Sequence, residues 1–62
     1  MISDRDVRAV AAALVARLGM AARDEAAGRC AEMLARHDAD GFASWKIVAF
    51  AVEEAIARPR LA

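Results

Sequence analysis

Residues Gly41–Ala57 read GFASWKIVAFAVEEAIA, and this stretch decides the fold. Trp45, Val48, Ala49, Val52 and Ile56 recur at three- and four-residue spacing, the period of an α-helix with one buried face. Asp40 is positioned to cap the start of this helix, and Pro59 to stop it near Ala57 or Arg58, because the residue before a proline is pushed out of the α region. Two residues of the same stretch fall off the stripe. At about 100° per residue, Ile47 and Phe50 stand among Lys46, Glu53, Glu54 and Arg58 on the charged side. Two readings are open. Either Ile47 and Phe50 form a patch for a partner protein or a second copy of the chain, with Lys46 and Glu54 at its rim, or this helix is central, touches both others and holds the two side chains in the core. Trp45, in line with Val48, Val52 and Ile56, is read as a core anchor.

Working outward, a second helix is expected over about residues 21–37. Ala26, Cys30, Met33, Leu34 and His37 share one face of it, while Glu25, Arg29, Glu32 and Arg36 share the other. Glu25–Arg29 and Glu32–Arg36 are i,i+4 pairs with the acid first, the more favourable order. Gly28 lies inside the helix, either tolerated there at about 1 kcal/mol relative to alanine or marking a close backbone approach. A first helix is expected over about residues 4–18. Val7, Val10, Ala11, Leu14 and Leu18 make its stripe, Ser3 its N-cap, and Ile2 with Val7 a hydrophobic staple. Gly19 then ends it as a residue free to take positive φ. On its other side Ala9–Ala13 and Ala12–Ala16 have small-xxx-small spacing, which also follows from plain helix propensity in so alanine-rich a chain. Short connections make successive helices antiparallel neighbours. The expectation is one small all-α domain over residues 1–62, a compact three-helix bundle.

Composition bounds what such a bundle can do. The chain has 62 residues, 60% of them hydrophobic, but eighteen of those are alanine. A domain this small buries only roughly 60% of its unfolded surface and has no room for a deep cleft. Nine basic residues balance nine acidic ones, so no net field attracts nucleic acid or an anionic membrane. The longest uncharged runs, Ala9–Ala16 and Ile47–Val52, are far short of the roughly 20 apolar residues a membrane span needs. Arg5 and Arg8 before the alanine run faintly imitate a secretion signal, which Asp4, Asp6 and Arg17 spoil. The single cysteine forms no internal disulfide, and a reducing cytoplasm fits it best.

The residues themselves offer material for three chemistries. Cys30, Met33 and His37, spaced C-x-x-M-x-x-x-H, offer a thiolate, a thioether and an imidazole, a set suited to Cu(I) and in part to Zn(II). One helix face does not close a tetrahedral site, and cysteine and methionine are ordinary core residues, so no metal or other cofactor is expected. Nucleophilic catalysis would need Cys30 and His37 in contact. They lie about 10 Å apart along a helix axis, and no glycine-rich phosphate loop exists, so no catalytic residue is assigned and no enzyme activity is expected. A DNA-associated regulator is the alternative on helix count, but Arg5, Arg8, Arg17, Lys46 and Arg58 form no basic stripe.

The segment Asp38-Ala39-Asp40-Gly41-Phe42-Ala43-Ser44-Trp45-Lys46-Ile47 resembles the second half of a group of short uncharacterised alanine-rich helical bacterial proteins. Their pattern is an alanine-rich helix, a D-x-x-G turn and a last helix opened by tryptophan. The resemblance covers the last two helices and implies a small helical domain; it carries over no functional residue. The sequence therefore points to a small protein–protein interaction or regulatory module, cytoplasmic and able to form a homodimer, with no catalysis of its own. Its expected contact residues are Ile47, Phe50, Lys46 and Glu54.

Overall fold

A computed structural model of the chain describes residues 4–57. It contains three α-helices in the order α1 (Asp4–Leu18), α2 (Ala21–Ala35) and α3 (Ala39–Ala57), with no strand among the described residues. The Ser3 cap, the Ile2–Val7 staple and the Pro59 stop concern residues outside that range. The bundle is centred on α3, which packs against both α2 and α1, while α1 and α2 touch each other least.

The core is thin. Val7 and Ala11 of α1, Ala22 and Ala26 of α2, and Val48 and Val52 of α3 are buried, and Val52 is the largest side chain that is fully so. Leu14, Val15, Trp45 and Ile56 pack around this centre half-buried. The α3 stripe therefore faces inward as its spacing predicts. On α2 the buried stripe is rotated. Its centre is the alanine pair, so Cys30 and Met33 are only half-buried and Leu34 is 64% exposed. The expectation that Leu34 and His37 share the core face is corrected: small residues, not the largest ones, mark where α2 meets its neighbours.

The two connections are built differently. Gly19 takes φ 58° after α1, and its N–H donates to the Val15 carbonyl at 2.8 Å, as a C-terminal glycine does. At the end of α2 the same left-handed conformation falls on His37, also φ 58°. The His37 N–H donates to the Leu34 carbonyl at 3.1 Å and the Asp38 N–H to the Met33 carbonyl at 2.9 Å, the paired bonds of a Schellman turn. These bonds close α2 at Ala35, two residues earlier than the periodicity suggests, and take His37 off the helix.

The next helix then starts two residues early, at Ala39. Its cap is Asp38 and not Asp40: the Gly41 N–H donates to Asp38 Oδ1 at 2.8 Å. The absent side chain of Gly41 makes this cap possible. A Cβ there would lie 2.6 Å from both Asp38 Oδ2 and Met33 Sδ. Gly28, in contrast, faces open space, with nothing within 4 Å of where a Cβ would stand, so it marks no close approach.

Candidate functional site

Once α1 and α2 are placed against α3, the circumference of α3 divides into three arcs. Ala51 and Ala55 face α1, where with Arg8, Ala11, Ala12 and the edge of Glu54 they line a shallow groove of about 310 Å³. Trp45, Ala49 and Glu53 turn toward α2. Arg23 of α2 donates to Glu53 Oε1 at 2.8 Å, and the Arg29 guanidinium lies 5.8 Å from the Trp45 ring centroid. The remaining arc, roughly 100° wide at 3.6 residues per turn, carries Ala43, Lys46, Ile47, Phe50, Glu54 and Ala57, all of them exposed.

The four residues singled out as contacts therefore share one outward strip. Phe50 is 65% and Ile47 48% exposed, with Lys46 and Glu54 exposed beside them. The helix is central, yet its centrality does not cover these two side chains, because both neighbours sit on the other side of it. Beside Phe50 lies a shallow depression of about 180 Å³ lined by Lys46, Ala49, Phe50 and Glu53. It is smaller than the roughly 300–1,000 Å³ of small-molecule pockets.

The Cys30, Met33 and His37 set is not presented as one face. Cys30 and Met33 remain half-buried on α2, Met33 lying against Gly41, while His37 stands in the turn and is exposed. Among the described residues no three or more His, Cys, Asp or Glu side chains are grouped so as to hold a metal ion. A second apolar depression, about 330 Å³, lies at the α2–α3 connection between Leu34, His37, Ala39 and Phe42. It arises from the rotation of the α2 stripe and the early end of that helix, neither of which the periodicity shows.

The polar face of α2 is more than solvated charge. Arg29 Nε donates to Glu25 Oε2 at 2.8 Å, and its guanidinium approaches Glu32 at 3.7 Å, so Glu32 pairs back to Arg29 and not forward to Arg36. The hydrogen bond and charge of Glu25 raise the Arg29 pKa above its already high ordinary value. A raised pKa stabilises the fold below the unfolded value and ceases to do so only as pH climbs through the folded one. The guanidinium therefore stays charged over Trp45 throughout the neutral range, and the contact is lost only in strong base. This inter-helix contact was not legible in the sequence, where Arg29 and Trp45 are both explained by their own helices.

No helix of the described residues is long and apolar enough to cross a membrane. Comparison of the chain with protein-family models, with curated proteins and with solved structures finds no match.

Proposed function

We propose that the chain is a small, cytoplasmic protein–protein interaction module with no catalytic activity of its own, and that the outer strip of α3 is its contact surface. One observation carries this reading. Among the described residues the largest fully buried side chain is a valine, while a phenylalanine and an isoleucine are exposed on one helical strip. Apolar groups of that size gather at the centres of protein interfaces, with charged residues at the rim. Lys46 and Glu54 occupy rim positions. The resemblance to short helical bacterial proteins agrees with a small module and adds no site. The DNA-associated alternative has no observation in its favour: on the outer strip of α3 the described basic residue is Lys46, with Glu54 beside it.

Photo-crosslinking in cells tests the reading. A benzophenone side chain replacing Phe50 is expected to give a protein adduct that the same group at Ala27, exposed on α2, does not. Folding of both variants is checked by helical circular dichroism. No adduct at Phe50 above the Ala27 control contradicts the assignment.

A further inference from the structure

We infer that the partner seated on the α3 strip is a second copy of this chain, running antiparallel to the first about a two-fold axis close to Phe50. The inference rests on the interaction reading above and names its occupant. Three features of α3 carry it.

The first is charge order. Lys46 precedes Phe50 by four residues, and Glu53 and Glu54 follow it by three and four. At about 1.5 Å per residue, Lys46 stands about 6 Å to one side of Phe50 and the two glutamates about 4.5 and 6 Å to the other. A two-fold axis at Phe50 therefore brings Lys46 of each copy level with Glu54 of the other, with Glu53, held by Arg23 at the α2 border of the strip, one residue nearer the axis beside Ile47 of the other copy. The small residues match in the same way, Ala43 against Ala57. A parallel pair would instead set lysine against lysine and glutamate against glutamate, which is unfavourable.

The second feature is shape. Lys46, Ala49, Phe50 and Glu53 occupy positions i, i+3, i+4 and i+7, the four corners of a hole in knobs-into-holes packing, and the depression of about 180 Å³ lies between them. Its centre is within one residue of Phe50 along the helix. The same axis that pairs the charges sets the two Phe50 rings against one another, each at the edge of the other copy's depression. The strip is self-complementary, as an isologous interface must be.

The third feature is the net charge of zero, so that two copies approach without mutual repulsion. The seam, from Ala43 to Ala57, is about 21 Å long. One helix per chain lies at or below the small end of the roughly 1,200–2,000 Å² of stable interfaces, so the dimer is expected to be concentration-dependent.

Sedimentation velocity over a concentration series, on the full chain, tests this. The wild type is expected to pass from monomer to dimer. Lys46→Glu, and separately Glu53→Lys with Glu54→Lys, are each expected to weaken the dimer at least tenfold. An equimolar mixture of the two variants is expected to recover it, because opposite charges then meet again at both ends of the seam. Helical circular dichroism checks each variant. If the double variant unfolds through loss of the Arg23–Glu53 bridge, Glu54→Lys alone replaces it. A wild type that stays monomeric at every concentration overturns the inference, as does an unchanged Lys46→Glu dimer or a mixture that stays apart. A monomeric wild type together with a Phe50 adduct to a different protein overturns self-pairing alone and leaves the interaction reading standing.

Discussion

The inner and outer faces of α3 use the same helix for opposite ends. Inward, Val48 and Val52 are buried against alanines of the two neighbouring helices. Outward, Phe50 and Ile47 are larger than anything fully buried, and yet they face solvent. Small side chains let three helices approach closely, so the core needs little volume. It also gains little, since each buried valine contributes no more than roughly 1.5–3 kcal/mol. The difference teaches that full burial among the described residues follows closeness of packing and not side-chain size, and that two of the larger apolar groups, Phe50 and Ile47, stay on a surface while Trp45 packs half-buried.

The sharpest way to break the comparison is to place the same charge on each face. Val52→Asp buries an unpaired carboxylate, a cost exceeding the roughly 3–5 kcal/mol that so small a core supplies. Loss of helical circular dichroism at 25 °C is expected. Phe50→Asp in dilute solution is expected to keep the helical spectrum, with stability changed by less than about 0.5 kcal/mol, as for a surface site. Equal loss from both variants would put Phe50 in the fold.

A smaller effect sharpens the same contrast between open and packed positions. Gly28→Ala, where a Cβ meets nothing, is expected to raise stability by about 1 kcal/mol through helix propensity. Gly41→Ala makes the same exchange in the first turn of α3, but its Cβ meets the Asp38 carboxylate and the Met33 thioether. There the displaced cap and crowded sulfur outweigh propensity, and a loss of about 1 kcal/mol is expected. Urea denaturation measures both. Equal gains would show that the Asp38 cap does not depend on Gly41.

These contrasts separate what the sequence makes legible from what it hides. The three helices follow from periodicity, and the angular spacing along Trp45–Ile56 takes Ile47 and Phe50 off the core stripe, but only the placement of α1 and α2 decides that they face outward. The end of α2 does not. No glycine marks it, and only the Schellman bonds around His37 stop the helix at Ala35. The cap is hidden because Asp38 and Asp40 are both eligible, and the choice turns on which carboxylate reaches a free N–H over the bare Cα of Gly41. Helical spacing puts Leu34 on the same face as Ala26, whereas the packing face is centred on Ala22 and Ala26 and leaves Leu34 exposed. The Arg29–Trp45 contact belongs to the pairing of two helices and has no trace in either one. Of the candidate surface, the residues were legible, but the self-complementary order of Lys46, Phe50, Glu53 and Glu54 gains meaning only once both neighbours of α3 are known to lie on its other side.

The most direct test of that surface is the thermal midpoint as a function of protein concentration. Association that favours the folded state raises the midpoint as concentration rises, because the dimer binds native and not unfolded chains. For the wild type the midpoint is expected to climb steadily across a hundredfold range, while for Phe50→Asp it stays level and matches the dilute wild type. A wild-type midpoint independent of concentration, with Phe50→Asp unfolded at every concentration, would contradict the account and return Phe50 to the core.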